Sequence, residues 1–156
     1  MASGDKRAHL LEGLSGHGLR VGIIRARWNT EIVNRLADGV RRGLDQLDVG
    51  VVVERSVPGC FELPLAAKHL ALSGEVDAIV CIGAVIRGET THYELVSEGA
   101  ANGIMAAQLE TGRPIAFGLV TVEDEAQALA RSEGPGGHNV GEEAAIVAVE
   151  MARLVG

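Results

Sequence analysis

The segment Ala78-Ile-Val-Cys-Ile-Gly-Ala-Val-Ile86, followed at once by Arg87-Gly-Glu-Thr-Thr-His92, decides both the fold and the place of the chemistry. The first part is apolar without polar alternation, which is typical of a strand covered on both faces, as in a parallel sheet. The second part brings a glycine, two hydroxyl side chains and an imidazole to the start of a predicted helix. Backbone N–H groups at such a position can face an anion, and an imidazole can carry a proton near neutral pH. The segment therefore predicts a strand end that carries chemistry.

Strand and helix patterns alternate along the rest of the chain. Strands are predicted at 20–26, 49–57, 78–86 and 114–121, and helices at 63–72, 92–108, 123–131 and 142–154, with one more amphipathic helix capped by Asn29. This order predicts an α/β fold, a three-layer sandwich with a four-stranded, mainly parallel, flavodoxin-like sheet and helices on both faces. Residues 1–18 lack periodicity and are predicted to form a loosely held N-terminal arm, with a single domain at 19–156.

Composition limits the classes of function. With 156 residues and 47% apolar content, the chain can form one domain with a substantial core. The net charge of −7 and the lack of a basic stripe argue against a nucleic-acid-binding surface. Without a membrane-spanning apolar stretch or a signal sequence, a cytoplasmic protein is expected. Of the two cysteines, Cys81 is expected in the core, whereas Cys60 is either a nucleophile acting with His92 or, more commonly, a small apolar filler.

Unusual residues follow, or lie near the end of, each predicted strand. Trp28 and Asn29 follow the first strand, Gly59-Cys-Phe-Glu62 follows the second, the segment ending at His92 follows the third, and Phe117 lies in the fourth. Parallel strands bring their carboxyl ends to one edge of the sheet, where ligands of open α/β sheets bind. Three of the four aromatic residues fall in or next to these segments. Flat walls for a planar heterocycle are therefore expected at this edge.

Each of these residues also has a purely structural interpretation. Trp28 can anchor a core or an interface, Phe117 can be a packed strand residue, and Glu62 can place charge at a helix N-terminus. His92 can be a water-exposed residue of a first helical turn. Their convergence on one edge of the sheet favours a binding site over four separate structural roles.

Four blocks of sequence, in chain order, carry a resemblance to a known family. They are Arg27-Trp-Asn29, Gly59-Cys-Phe-Glu-Leu-Pro64, Gly83-Ala-Val-Ile-Arg-Gly-Glu-Thr-Thr-His-Tyr93 and Pro114-Ile-Ala-Phe-Gly118. With these blocks the sequence resembles the 6,7-dimethyl-8-ribityllumazine synthase family of riboflavin biosynthesis over residues 20–155. Members are transferases that condense 5-amino-6-(D-ribitylamino)uracil with 3,4-dihydroxy-2-butanone 4-phosphate, losing phosphate and water, without a metal or an organic cofactor. The resemblance implies the same reaction and the same α/β layers here.

The resemblance also assigns roles to individual residues. It implies that His92 transfers protons and that Gly88, Glu89, Thr90 and Arg131 bind phosphate, for which a guanidinium fork is well suited. The pyrimidine and its ribityl chain would be held by nine residues, with Trp28 stacked on the ring: Trp28, Asn29, Cys60, Phe61, Glu62, Ala84, Val85, Ile86 and Phe117. No metal ligand is implied.

The sequence departs from the family in one loop. The family often has a lysine there, in an Asn-Lys-Gly triplet, but this chain reads Ser132-Glu-Gly-Pro-Gly-Gly-His-Asn-Val-Gly141. His138 is a candidate for the missing positive charge at the phosphate. The family's pentamers, or multiples of pentamers, have their sites between adjacent subunits, which implies a homo-oligomer here, with riboflavin synthase as a candidate partner.

Two alternatives stay open beside this interpretation. One is a catalytically weak, ribityl- or flavin-binding or shell-forming paralogue, against which the intact set of His92, Thr90 and Arg131 argues. The other is a flavodoxin-like electron carrier. Its phosphate loop should follow the first strand, where this chain has Arg27-Trp-Asn29.

Overall fold

A computed structural model describes residues 10–156. Its strands, β1 (Arg20–Ala26), β2 (Val51–Val57), β3 (Ala78–Ile86) and β4 (Ile115–Val122), form one sheet in the order β2-β1-β3-β4. The helices are α1 (Thr30–Gln46), α2 (Leu63–Leu72), α3 (His92–Thr111), α4 (Glu125–Leu129) and α5 (Val140–Val155), and a 3₁₀ turn (Cys60–Glu62) precedes α2. Every strand pair is parallel. The predicted α/β fold is confirmed.

The core lies in two halves, one on each face of the sheet. Helices α1 and α5 bury their apolar sides against one face, and α2 and α3 against the other. The central strand β3 serves both halves, because Val80 and Ile82 point into the first and Ile79 and Cys81 into the second. Its unbroken apolar sequence is thus the consequence of two covered faces.

Several predicted boundaries shift for identifiable reasons. Strand β2 begins at Val51 rather than Val49, because the Val49 N–H donates to Leu44 O at 3.0 Å and so closes the end of α1. Helix α3 runs on to Thr111 and ends at Gly112, whose φ of 68° lies in the left-handed region that closes helices. Helix α4 begins at Glu125 rather than at residue 123, because the Asp124 side chain accepts the Gln127 N–H and caps it, and it ends at Leu129.

The end of the predicted arm that can be described is attached to the domain. The Gly16 N–H donates to Leu47 O at 2.6 Å, and the Arg153 guanidinium donates to the carbonyls of Ser15 and His17. Leu14 packs against the core. The first nine residues of that arm lie outside the described residues. Within residues 10–156, no helix is long and apolar enough to cross a membrane.

Candidate active site

The topology predicts a crevice between the carboxyl ends of β1 and β3. The chain leaves β1 towards β2 on one side and then crosses over to β3 on the other, and such reversals are where open α/β sheets bind ligands. Strand β1 pairs with β3 only as far as Arg25 opposite Ile82. The last residues of β3, Ala84 to Ile86, therefore extend past the end of β1.

The extension of β3 presents backbone groups to the crevice. Successive residues of a strand direct their N–H and C=O groups to opposite neighbours. The Ile79 N–H donates to Pro114 O, just before β4, at 2.9 Å, and the Arg87 N–H donates to Val122 O, the last residue of β4, at 2.8 Å. The backbone groups of the odd-numbered residues of β3, including Val85, therefore face β4. The backbone groups of Ala84 and Ile86 face the crevice.

Asn29 holds the segment after β1 against this extension. Its side-chain Nδ2 donates to Ala84 O at 3.0 Å, and its backbone is left-handed, with φ 61° and ψ 51°. Asn29 does precede α1, as predicted, but its side chain makes no cap hydrogen bond. The amide is instead used to bridge β1 and β3. This bridge places Trp28, 74% exposed, beside the crevice, so Trp28 is not a core anchor of its own chain.

The segment after β2 meets Trp28 at Gly59. A Cβ atom built on Gly59 would lie 3.0 Å from Trp28 Cδ1 and 3.3 Å from Glu62 Oε1, so the indole and the carboxylate converge on a bare backbone. A hollow of about 280 Å³ lies beside them, lined by Arg27, Trp28 and Pro58. An aromatic wall and a carboxylate acceptor, side by side, suit a planar ring that carries hydroxyl groups.

The side chains of Cys60 and Phe61 pack against other parts of the chain. Burial raises the pKa of the Cys60 thiol to about 12, despite the backbone hydrogen bond from Ala84, so it is a packed thiol and not a nucleophile. Burial also raises the pKa of Cys81. The Phe61 ring is 60% exposed and lies on Gly99 of α3, where a Cβ atom would collide with it. The Cys60 thiol thus packs against Gly83 and Ala84 at the end of β3, whereas the Phe61 ring lies on α3.

The loop after β3 leads to His92, the first residue of α3. The Thr90 hydroxyl accepts the His92 N–H at 3.3 Å, and the His92 side chain is exposed. Across the described part of the chain, no hydrogen bond engages the backbone N–H groups of Gly88, Glu89 and Thr90. Gly88 is not left-handed, and a Cβ atom there would touch nothing. Three free N–H donors beside a helix N-terminus can receive an anion.

Arg87 forms a cluster at the base of this loop that sequence reasoning missed. Its guanidinium contacts the carboxylate of Glu94, donates from Nε to Glu123 at 2.9 Å, and lies 4.2 Å above the centre of the Tyr93 ring. The hydrogen bonds with Glu94 and Glu123 raise the pKa of Arg87, and the bond with Arg87 lowers the pKa of Glu94. One signal was available: Arg87 and Glu123 each follow the last residue of paired strands, since Ile86 lies opposite Val122.

Comparison with known proteins agrees with this geometry. A family model described as 6,7-dimethyl-8-ribityllumazine synthase matches residues 18–156. The chain belongs to this family. A protein of that name from Bordetella petrii is 46% identical, and the match covers 94% of this chain and 82% of that relative. One from Nitrosospira multiformis is 44% identical, with 99% of this chain and 94% of the relative covered. One from Thermococcus kodakarensis is 42% identical, with 94% of this chain and 93% of the relative covered. The resemblance stated from four blocks of sequence is confirmed.

Phe117, which the resemblance to 6,7-dimethyl-8-ribityllumazine synthase assigns to the ring site, does not lie at the carboxyl edge expected for it. It is the third residue of β4, opposite Cys81, and five residues from Val122 correspond to about 16 Å of strand. Its ring is 41% exposed on the outermost strand, beside an apolar hollow of about 380 Å³ between α3 and α5. Within one chain, therefore, Phe117 and Trp28 do not face the same ligand.

In the described chain, Arg131 makes no polar contact with the loop with which the family resemblance groups it. Its Nη1 donates to Gln127 O at 3.0 Å, back onto α4, and its own carbonyl accepts the Val140 N–H at 2.9 Å. Within residues 10–156, no hydrogen bond or ion pair connects it to residues 88–92. The parallel strands thus assemble Trp28, Glu62 and His92 at one edge and leave Phe117 and Arg131 outside.

Asn139 fixes the segment that carries Arg131. This buried side chain accepts the Glu142 N–H at 3.1 Å, which caps α5, and donates from Nδ2 to Arg35 O (3.1 Å) and Glu133 O (2.9 Å). The cap explains why α5 begins at Val140 rather than at residue 142. Sequence reasoning did not identify this role of Asn139.

His138, the candidate for the missing lysine, is engaged elsewhere. Its Nε2 lies 3.1 Å from Glu143 Oε1 on α5. This pairing counts against a free positive charge at a phosphate. Across residues 10–156, no three His, Cys, Asp or Glu side chains are grouped closely enough to hold a metal ion.

Proposed function

We propose that the chain catalyses the reaction of its family, condensing 5-amino-6-(D-ribitylamino)uracil with 3,4-dihydroxy-2-butanone 4-phosphate to give 6,7-dimethyl-8-ribityllumazine, phosphate and two molecules of water. The observation that supports this most strongly is the joint presence, at one sheet edge, of an exposed aromatic wall at Trp28 and a loop of free N–H donors leading to His92. A ring and a phosphate need these two environments next to each other.

The pyrimidine would occupy the crevice. Trp28 stacks on the ring, and its edge hydrogen-bonds to the backbone groups of Ile86 and to Ala84 O, which can accept a second hydrogen bond beside that from Asn29. Glu62 accepts from ribityl hydroxyls. Asn29 fixes the segment after β1 against the end of β3. Cys60 and Phe61 contribute their backbone groups, and Val85 contributes its side chain, because its backbone faces β4.

The phosphate would lie against the N–H groups of Gly88, Glu89 and Thr90 at the start of α3. Its charge is favourable there because a helix N-terminus carries partial positive charge. His92, the next exposed side chain, takes a proton as the imine forms and returns it when phosphate leaves. Most of the acceleration comes from holding two substrates in contact.

We assign Phe117 and Arg131 to the site of a neighbouring subunit. This assignment is supported by the exposed Phe117 ring on the sheet's outermost strand and by the absence of any hydrogen bond or ion pair between Arg131 and residues 88–92 within the described chain. A homo-oligomer, a pentamer or a multiple of pentamers, would complete each site in this way. Riboflavin synthase remains a candidate partner, and the two unpaired buried cysteines fit a cytoplasmic enzyme.

The activity is tested by incubating purified protein with both substrates and recording the fluorescence of the lumazine. Formation of lumazine above the uncatalysed rate supports the proposal. Tight binding of the lumazine without turnover would identify the ribityl-binding paralogue instead.

The shared site is tested by mixing two impaired variants. His92→Ala and Arg131→Ala subunits, co-refolded in equal amounts, should form some sites with His92 from one subunit and Arg131 from its neighbour. Random mixing should restore about a quarter of the wild-type activity, as each intact residue is present at half of its positions. The control mixes His92→Ala with itself. Activity no higher than the average of the two variants would place both residues in one subunit's site.

A further inference from the structure

Arg87 has a geometry that the proposed roles do not use. It follows the last residue of β3, and its N–H donates to Val122 O at 2.8 Å, which extends the β3–β4 pairing by one residue. From this fixed point its guanidinium holds Glu123, just after β4, and Glu94, two residues after His92. The loop of Gly88, Glu89, Thr90 and Thr91 is therefore enclosed between residues that Arg87 ties together.

The charges around Arg87 argue against its being a phosphate ligand. One guanidinium faces two carboxylates, so the cluster carries excess negative charge, and the ring of Tyr93 covers a guanidinium face. An incoming phosphate would have to displace both carboxylates while meeting their repulsion. The guanidinium serves better as an internal tie than as a contact for an anion.

We propose that Arg87 is a positioning residue for the phosphate half of the site. By joining Glu94 to Glu123, it fixes the first turn of α3 relative to the ends of β3 and β4. That constraint sets the direction of the free N–H groups of the loop and the place of His92. The inference rests on the proposed function, because it names what orients the phosphate site of that reaction.

The Glu123→Gln substitution distinguishes a tie at Arg87 from a phosphate ligand there, because the two roles predict opposite changes in the affinity for inorganic phosphate. If Arg87 is a tie, removing the charge of Glu123 loosens the loop and weakens binding of inorganic phosphate. If Arg87 is a ligand, the same change frees the guanidinium and removes repulsion, so phosphate binds more tightly. The measurement is a calorimetric titration of the assembled protein with inorganic phosphate, which does not require turnover.

Kinetics of Arg87→Gln supply the second readout. We expect the KM for the butanone phosphate to rise roughly tenfold, since small displacements of an aligned site are costly, while the KM for the pyrimidine changes less than twofold. Arg87→Lys keeps the charge but cannot hold two carboxylates and a ring face together, so it should restore only part of the loss. Full restoration by lysine would overturn the proposal.

Arg20→Gln is the matched control. Arg20 also makes several bonds to a carboxylate, at Asp77, but at the opposite edge of the sheet. This variant should lower the apparent Tm and leave both KM values unchanged. If wild-type protein forms no lumazine, the proposed function fails. If it forms lumazine but Glu123→Gln binds phosphate as tightly as wild type, or more tightly, only the role of Arg87 is overturned.

Discussion

The two edges of the sheet use similar side chains for different purposes. At the amino-terminal edge, Asp77 accepts from Arg20 N (2.8 Å), Nε (3.3 Å) and Nη2 (3.1 Å), and the Asp77 N–H donates back to Arg20 O at 2.7 Å. At the carboxyl edge, Trp28 and His92 are exposed, and Glu62 makes no hydrogen bond through its carboxylate within the described chain. The amino-terminal edge is closed by the ion pair of Arg20 and Asp77, while the carboxyl edge, beside the ion pairs of Arg87, also presents groups without a partner in the described chain.

This difference follows from the direction of the strands. In a parallel sheet the carboxyl ends all lead into loops and helix N-termini, whose N–H groups have no partner within the helix. The amino ends of the strands follow helix C-termini, and an ion pair can hold two neighbouring strand starts together, as Arg20 and Asp77 do. Stability and ligand binding are thus separated along the strands, and substitutions at the two edges should affect different measurements.

His92→Ala should give the largest effect of any single substitution at either edge. Loss of proton transfer should lower kcat roughly 10- to 100-fold, because alignment of the two substrates persists. The exposed side chain supports no packing, so the oligomer and the apparent Tm should be unchanged. Steady-state kinetics and thermal unfolding of the same preparation measure both.

His69→Ala is the matched control for that prediction. His69 is also an exposed histidine on a helix, in the last turn of α2, at a distance from the crevice. Its removal should leave kcat within twofold of wild type. A His92→Ala enzyme with wild-type kcat would remove His92 from the mechanism.

Trp28→Ala should have a smaller effect, confined to binding. Losing the stacked ring should weaken binding of the lumazine by about tenfold, within the 1–3 kcal/mol expected for stacking of an aromatic side chain on a base. Because Trp28 is the only tryptophan, its emission should also be quenched as lumazine saturates the wild-type protein. Fluorescence titration, corrected for ligand absorbance, records both the quenching and the affinity.

Trp28→Phe should keep most of the affinity, since it retains a planar wall. Emission that does not change at saturation, together with wild-type affinity in Trp28→Ala, would place Trp28 in a contact between subunits rather than in the ring site. The assignments of His92 and the loop would then stand without it.

Patterns that depend on local sequence predicted the structure well. Strands β1 and β3 begin and end where the apolar runs do, and α2 matches its predicted bounds, with Pro64 in the first turn. The edge carrying Trp28, Glu62 and His92 followed from parallel topology alone. These features are fixed by burial and chain direction, which apolar periodicity records directly.

Features that depend on contacts between distant segments were not predicted. Phe117 was expected at the carboxyl edge, yet it pairs with Cys81 near the start of β4, five residues before the end of that strand. The tie made by Arg87 joins residues up to 36 positions apart, and Asn139 reaches a carbonyl 104 residues away. Such pairings need the assembled fold before the partners can be named.

Asp77→Asn should give the smallest effect and should act on stability alone. Hydrogen bonds from the Arg20 side chain hold the pKa of Asp77 below its usual value, so the carboxylate stabilises the fold above the unfolded-state pKa of about 4 and loses that contribution as pH falls through the lower folded-state pKa. At pH 7 the variant should unfold about 2–4 °C lower, as expected for a partly exposed pair in a domain of this size, with kcat and both KM values unchanged. The difference in apparent Tm should shrink as the pH is lowered below 4, where wild type too becomes protonated. Thermal unfolding at one protein concentration across pH 3–7 measures it, with Asp38→Asn, an exposed aspartate on α1, as the control. A deficit of the same size at pH 3 and pH 7 would show that the side-chain amide disturbs packing rather than removing a charge-dependent bond.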